Sequence, residues 1–176
     1  ADFSAFVFKI QANMNPRHRD SVAFVRICSG RFDKDMTVSH PRYPKGLRLT
    51  RPYQVFAQDR VSLDEAYPGD VVALANPGLF AIGDTLYTGS AVEFEPLPRF
   101  QPEFFAAVHN KDTSKHKQFH KGLDQLVREG AIQRLNRADQ SHVPLLAAVG
   151  ELQFQVLEAR LKAEYNVEIQ LEYLAF

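Results

Sequence analysis

The sequence predicts two domains, an all-β barrel followed by an α+β domain of the ferredoxin-like split βαβ type. Residues 1–95 contain many short apolar runs of period two, separated by turn residues, which is typical of a barrel or sandwich. Residues 96–102 hold three prolines, and proline stiffens a chain without continuing a sheet. Helical periodicity appears only after that segment. We therefore expect a barrel over 1–95, a proline-rich linker over 96–102 and an α+β domain over 103–176.

The strands of the first domain follow from alternation and from the turns between the runs. Phe6, Phe8 and Ile10 alternate with the residues between them, a period of two that indicates a strand. Residues 21–29 form a second run, rich in β-branched and aromatic side chains. Shorter runs of the same character follow at 36–38, 47–49, 53–56 and 71–74. Turn signals with glycine, proline, asparagine or aspartate separate them, at 15–16, 44–46, 68–70, 76–78 and 83–84.

The second domain combines strands with two amphipathic helices. Four apolar runs are predicted strands, at 104–108, 132–135, 143–149 and 167–171. Two segments with apolar residues at helical spacing are predicted helices, at 111–130 and 151–165. Their apolar faces comprise Phe119, Leu123, Leu126 and Val127 on the first helix and Phe154, Leu157, Leu161 and Tyr165 on the second. The resulting order β-α-β-β-α-β is that of the ferredoxin-like fold.

The composition indicates a soluble chain with a substantial core. The chain is 45% hydrophobic and 24% charged. No apolar run reaches the roughly 18 residues that cross a bilayer, and the first residues lack the features of a secretory signal, so we expect a cytoplasmic location. The sequence does not begin with Met, and we expect it to be part of a longer protein. Cys28 is the only cysteine and lies in an apolar strand, so we expect a small buried core residue.

The charges are distributed in blocks although the formal net charge is zero. Residues 13–60 carry ten Arg or Lys against four Asp or Glu, and residues 61–95 carry none against six. Residues 96–137 carry eight against four, and residues 138–176 carry two against six. Such blocks are expected when one side of a protein faces phosphates, although they also arise from solvated loops.

Candidate anion-binding residues occur in both basic blocks. Guanidinium and ammonium groups bind phosphates, and tyrosines such as Tyr43 and Tyr53 can stack on unpaired bases. The candidates in the first domain are Arg17, His18, Arg19, Arg42, Lys45, Arg48 and Arg51. Those on the first helix of the second domain, opposite its apolar face, are Lys117, Lys121 and Arg128. The alternative interpretation of both sets is a solubilising surface.

Other kinds of chemistry have less support in the sequence, and we expect no catalytic, cofactor or metal site in this chain. No G-x-x-x-x-G-K-[ST] segment is present, so there is no phosphate loop of that type. His116 and His120 have the spacing of a helical metal clamp, but three neighbouring lysines would repel a cation. A small hydrolase that uses His109 or His142 with a carboxylate remains an alternative, although no nucleophile elbow or triad spacing appears.

Both halves resemble, in the same order, the translational GTPases related to elongation factor G. Four segments of the first half are similar to the second-domain β-barrel of that family, at 6–10, 24–30, 66–70 and 82–86. Two segments of the second half are similar to its third domain, at 150–152 and 160–161. Three further segments resemble the release-factor branch of the family more closely than elongation factor G, at 10–16, 152–154 and 164–168. Elongation factor G usually has a histidine where Gln153 stands.

The resemblance implies a ribosome-binding, non-catalytic fragment of a GTP-dependent factor in translation termination. GTP and Mg²⁺ would bind in a domain on the N-terminal side that this chain does not include, and the third domain would run beyond Phe176. The implied partners are the small ribosomal subunit with its rRNA and protein, the factor's own GTP-binding domain, and the codon-reading release factor whose dissociation it promotes. No membrane partner is implied. By this analogy the basic candidates are assigned to ribosome contact.

Two other functions remain open at this point. The chain could comprise the corresponding domains of another GTPase related to elongation factor G. It could also be a stand-alone RNA-binding barrel protein, which would bind short free RNA without a GTP-binding domain.

Overall fold

The computed structural model describes residues 1–12, 21–56, 59–76, 78–98, 100–136 and 142–175, without the side chains of 55–56 and 59–60. These residues form two compact units, Ala1–Leu97 and Pro98–Phe176. Each unit closes its own apolar core. No helix within the described ranges is long and apolar enough to cross a membrane.

The first unit is all-β. Its strands, in chain order, are β1 (Ser4–Ala12), β2 (Ser21–Ser29), β3 (Phe32–Asp33), β4 (Thr37–His40), β5 (Tyr43–Arg48), β6 (Pro52–Phe56), β7 (Asp59–Ser62), β8 (Glu65–Ala66), β9 (Val71–Asn76) and β10 (Thr85–Tyr87). Eight of them form one sheet in the order β5-β4-β10-β1-β2-β9-β6-β7, and β3 pairs with β8 as a separate ribbon. One core cluster takes residues from β1, β2, β4, β9 and β10 and from the ribbon. The expected all-β barrel class is confirmed.

Strand β1 contains an irregularity that the simple alternation does not predict. Val7 pairs with Val25 and Lys9 pairs with Phe24, so the register shifts between them and Phe8 is the extra residue. Because of this bulge, both Val7 and Ile10 are buried in the core, whereas strict alternation would place them on opposite faces. Phe6 and Phe8 are only partly buried on the other side of the sheet.

Strand β2 shows that the prediction for Cys28 is wrong. Val25 and Ile27 are buried, and the residues that alternate with them, Arg26 and Cys28, are exposed. The apolar run is therefore a core strand, but Cys28 lies on its outer face because Ile27 takes the inward position. Partial burial of the thiol, opposed by the nearby Arg26, raises the pKa of Cys28. The thiol is thus protonated at neutral pH.

The second unit has the predicted β-α-β-β-α-β order. Its elements are β11 (Phe104–Asn110), α1 (His116–Arg128), β12 (Gln133–Leu135), β13 (Leu145–Ala148), α2 (Glu151–Tyr165) and β14 (Ile169–Leu174). The four strands are antiparallel in the order β12-β13-β11-β14. This is the ferredoxin-like arrangement, and the predicted fold class of this unit is confirmed.

The helix ends differ in how closely the sequence predicts them. Helix α2 begins and ends where the sequence predicts, with Gly150 before it and Asn166 in the left-handed region after it. Helix α1 is shorter than predicted because a 3-10 turn, Thr113–Lys115, precedes it, and Asp112 caps that turn by accepting from the Ser114 amide. Strand β14 continues three residues beyond the predicted end at residue 171, to Leu174.

The helices pack on one face of the four-stranded sheet. The buried residues of α1 include Phe119, Leu123 and Leu126, and those of α2 are Phe154, Leu157 and Leu161. They share one core with Ala106, Val108, Leu146 and Ile169 of the strands. The predicted apolar faces are therefore buried as expected, with Val127 and Tyr165 partly exposed at the margin.

Candidate functional site

Four of the seven candidates of the first unit, Arg42, Lys45, Arg48 and Arg51, lie on or beside the β4–β5 hairpin, which forms one edge of the eight-stranded sheet. Pro41 and Arg42 form its two-residue turn, since His40 pairs with Tyr43. Gly46 adopts a φ of 74°, and a Cβ there would approach Thr37 Cγ2 to 3.0 Å, so the close approach of the two strands requires glycine. The hairpin thereby holds Lys45 and Arg48 on a short, irregular edge strand and Arg42 in the turn before it.

Arg42 contacts two groups within the protein, a carboxylate and a backbone carbonyl. Its guanidinium forms an ion pair with Asp84 and donates to the Leu79 carbonyl at 3.3 Å. The same carboxylate oxygen of Asp84 accepts from His40 Nε2 at 2.9 Å and from the Ala81 amide at 2.7 Å. His40 Nδ1 accepts a hydrogen bond from the Arg42 amide at 3.0 Å. The ring hydrogen is therefore on Nε2, which donates it in a hydrogen bond to Asp84.

Lys45, Arg48 and Arg51 form the exposed cationic part of the hairpin region. Arg48 is 66% exposed and its Nε lies 3.6 Å from Asp35 Oδ1, an ion pair that water screens strongly. Lys45 and Arg51 are exposed, and Arg51 has a left-handed φ of 53°. Three cations in this setting can bind phosphates. Charged side chains also protect an edge strand from pairing with another sheet, which is the structural alternative.

The three candidates of the second unit lie on the exposed side of α1. Lys117, Lys121 and Arg128 are exposed, and the buried residues occupy the opposite side of the helix. Within the described ranges, none of these three side chains forms an ion pair. They therefore form a row of cations that is accessible to an anionic partner.

Three other candidates fall on residues whose structure is not described. Arg17, His18 and Arg19 lie outside the described residues, in the sequence between β1 and β2. Of the two tyrosines proposed to stack on bases, Tyr53 is 8% exposed and packs with Val22 and Ala73. The prediction that Tyr53 is available for stacking is wrong because it lies on the buried face of β6.

Tyr43 is also held in place by the protein. Its hydroxyl donates to the Leu79 carbonyl at 3.1 Å, and its ring lies 4.8 Å from that of His40. It is thus part of the same group of interactions as Asp84, although it is only partly buried.

Sequence reasoning identified residues 83–84 only as a turn and missed this role of Asp84. The loop between β9 and β10 is held by buried polar groups: Asn76 Oδ1 accepts from the Gly78 and Phe80 amides, each at 3.0 Å. Asp84 then joins the loop to β4 through His40. The one signal in the sequence is a histidine on the core-facing register of β4, which requires a polar partner when it is buried.

Two histidine contacts of the second unit bear on the alternative functions, a hydrolase and a metal site. His109 Nε2 lies 3.0 Å from Glu172 Oε2 across β11 and β14, and both side chains are largely exposed. This histidine–carboxylate pair lies on an open sheet surface. His116 and His120 approach each other, with their Nε2 atoms 3.0 Å apart. Among the described residues, no group of three or more His, Cys, Asp or Glu side chains could hold a metal ion.

Comparisons with protein families divide the chain in the same order as the fold. Residues 2–89 match the family model for elongation factor G domain 2. Residues 94–176 match the family model for the class II release factor RF3, C-terminal domain.

Individual relatives agree with the family models. The chain is 57% identical to peptide chain release factor 3 of Microcystis aeruginosa, over 99% of this chain and 32% of the relative. It is 56% identical to that of Gloeothece citriformis, over 99% of this chain and 33% of the relative. The chain thus spans about a third of the length of the curated relatives that it matches.

A solved structure supports the fold independently. A crystal structure from Thermus thermophilus matches with a TM-score of 0.82 at 25% identity, covering 98% of this chain and 26% of that chain. The structural match therefore extends over both units. Together with the two family models in order, it identifies the chain as a member of the class II peptide chain release factor family, with a second domain of the elongation factor G type.

Proposed function

We propose that this chain is the non-catalytic, ribosome-binding part of a GTP-dependent release factor that acts in translation termination in the cytoplasm. The observation that carries the proposal is the similarity of nearly the whole chain to peptide chain release factors, in which both family models match in order. The intact factor would promote the dissociation of the codon-reading release factor. Its own GTP-binding domain and the ribosome would be its partners.

The sequence of this chain does not fit a nucleotide site. It contains no G-x-x-x-x-G-K-[ST] loop, whose backbone amides and lysine would hold the phosphates. GTP and Mg²⁺ are therefore assigned to a further domain of the intact factor.

The exposed cations of each unit are the proposed ribosome contacts. In the first unit these are Lys45 and Arg48 on the edge strand β5 and Arg51 after it, all three of which are exposed. In the second they are Lys117, Lys121 and Arg128 on α1. Each would bind a phosphate of small-subunit rRNA and displace condensed counterions. Arg42 contributes less in this proposal, because its guanidinium already neutralises Asp84.

The proposal is tested by ribosome binding at several salt concentrations. We expect the triple variant Lys45→Ala, Arg48→Ala, Arg51→Ala to bind ribosomes more weakly and to reduce the slope of log K against log salt by up to about 3 units. The matched control removes three cations outside the proposed contacts, through Arg31→Ala, Lys34→Ala and Lys162→Ala, each of which lies near a carboxylate as Arg48 does. Both variants lose the same formal charge, so a difference in their ribosome affinity or salt slope reports a specific contact rather than the net charge.

Equal behaviour of the two triple variants would contradict the proposal. If the two triple variants pellet with ribosomes alike and show the same salt slope, the hairpin cations are a solvated surface. Unchanged melting temperatures are required of both variants, and we expect them because exposed charges contribute little to folding.

A further inference from the structure

A cleft in the second unit brings together three histidines that the proposed function does not use. His116 and His120 come from the first turns of α1, Arg134 from β12, and His142 from the segment before β13. These side chains line a cleft of about 590 Å³ together with backbone and apolar groups. Lys117 and Lys121, two of the exposed cations of α1, each follow one of the helix histidines in the sequence.

The two helix histidines compete for one proton. Their Nε2 atoms lie 3.0 Å apart, so one ring donates and the other accepts. Both rings cannot be protonated in this geometry unless an acceptor enters between them or beside them. Burial, and after it the charges of His116 and Arg134, lower the pKa of His120, and only Asp124 acts in the opposite direction. In this geometry the two Nε2 atoms therefore share a single hydrogen.

The surrounding charges favour an anion over a cation. Arg134 Nη1 lies 3.0 Å from Asp124 Oδ1, but the guanidinium remains 41% exposed and adjoins the cleft. Lys117 and Lys121 add charge on the adjacent side of α1, and the first turn of a helix presents the positive end of its dipole. A metal ion at the histidine pair would be repelled by these groups, whereas a phosphate would be attracted by each of them.

We propose that this cleft binds a phosphate group of RNA, and that the His116–His120 pair takes up a proton when it does so. The phosphate oxygens supply the missing acceptor, so both rings can donate through Nε2, and Arg134 supplies a third donor. RNA as the source of the phosphate rests on the proposed function. The recognition of phosphate itself rests only on the cleft.

The coupling to a proton fixes the direction of the pH dependence. A bound anion raises the pKa of the histidine pair relative to the free protein. The contribution of the pair to binding is then greatest at low pH and is lost as the pH rises through the pKa of the bound form. For one coupled proton, affinity changes by up to about tenfold per pH unit between the two pKa values.

The experiment uses the full 176-residue chain. Histidine ring signals are followed by NMR while a short oligouridylate, or inorganic phosphate in a second arm, is added at about pH 6 and about pH 7.5. We expect the His116 and His120 signals to shift and their titration midpoints to rise with the RNA, with tighter binding at the lower pH. His116→Gln with His120→Gln is expected to weaken that pH dependence, leaving only what His142 of the same cleft contributes.

His109→Gln is the matched control, because it removes a histidine of the same unit that lies outside the cleft and pairs with Glu172. It is expected to leave both the binding and its pH dependence unchanged. An equal response to inorganic phosphate at the same concentration of phosphate groups would overturn RNA as the ligand.

Two further results would overturn the proposal: cleft signals that do not move with either probe, or a pH dependence that is as steep in the double variant as in the parent chain. Zn²⁺ binding to the pair that RNA does not displace would count against it as well. The readout is local to the cleft. A failure here therefore differs from a failure of ribosome binding, which is measured with the hairpin cations.

Discussion

Asp84 shows how much of the first unit depends on one carboxylate. Its Oδ2 atom accepts hydrogen bonds from the imidazole of His40, the guanidinium of Arg42 and the Ala81 amide. His40 is completely buried at its side chain, so its ring needs both of these hydrogen bonds, one at each nitrogen. The group thus links the β4–β5 hairpin to the loop before β10.

This interaction is invisible to local sequence patterns. Residues 83–84 give a turn signal, and Arg42 gives a basic-loop signal, but the two partners are 42 positions apart. The sequence therefore assigns Arg42 to phosphate contact. Its actual partner, Asp84, can be recognised only when the strand register is known, because that register brings His40 and Asp84 together. Arg48 has the same sequence signal and remains exposed, because its ionic neighbour among the described residues is the surface residue Asp35.

Removal of this carboxylate is expected to destabilise the first unit. Asp84→Ala leaves the buried Nε2–H of His40 without its acceptor, so we expect the free energy of unfolding to fall by about 1–3 kcal/mol. The control is Asp64→Ala, which removes an 85% exposed carboxylate paired with Lys34. Urea denaturation measures both. Equal losses in the two variants would show that the buried network contributes no more than a surface ion pair.

The elements of the second unit are predicted more accurately than those of the first, for physical reasons. Helix α2 is bounded by Gly150 and Asn166 and has Phe154, Leu157 and Leu161 on one face, all of which are local signals. The bulge in β1 depends on the partner strand, so alternation alone cannot place Val7 and Ile10 on the same side. The phase of β2, and with it the exposure of Cys28, is set by the same sheet.

The contact between the two helices is close because α1 has a glycine there. A Cβ on Gly122 would lie 2.5 Å from Leu161 Cδ2 and 3.1 Å from the ring of Tyr165. Leu161 is fully buried, so its side chain occupies the space that a larger residue at position 122 would need. Glycine lowers the intrinsic stability of a helix interior, and here the packing of Leu161 offsets that cost.

Substitutions at Leu161 and Gly122 test the importance of this contact for stability. Leu161→Ala is expected to lower the free energy of unfolding by about 2–5 kcal/mol, because it removes a fully buried side chain. Gly122→Ala added to that variant is expected to recover up to about 1 kcal/mol, since the clash with Leu161 is then removed, although the Tyr165 ring at 3.1 Å remains close, and alanine favours the helix. Thermal or urea unfolding of the single and double variants measures the difference.

The controls for that prediction lie on the same two helices. Leu152→Ala changes a 68% exposed leucine of α2, and we expect a change within about 0.5 kcal/mol. Gly122→Ala alone should destabilise, or stabilise less than it does beside Leu161→Ala. Identical effects of Gly122→Ala in both backgrounds would show that Leu161 does not limit the space at position 122.

At the scale of the whole molecule, the two cores draw on separate stretches of the chain. The core of the first unit runs from Phe3 to Leu86, and that of the second from Ala106 to Ile169. The described residues of the proline-rich stretch between them belong to neither core. Its apolar side chains are exposed, with Phe100 at 75% and Leu97 at 44%. The sequence boundary at 96–102 is therefore proposed as a linker between domains that fold separately.

Limited chymotryptic digestion tests this proposal, because Phe100 is a preferred residue in an accessible segment. We expect early cleavage there and two fragments that resist further digestion, since each keeps a complete apolar core. Each purified fragment should unfold cooperatively on its own. Phe100→Ala should slow the cleavage without changing the stability of either unit. If one fragment is degraded as soon as the chain is cut, its core depends on the other unit, and the two cannot act as independent ribosome-binding domains.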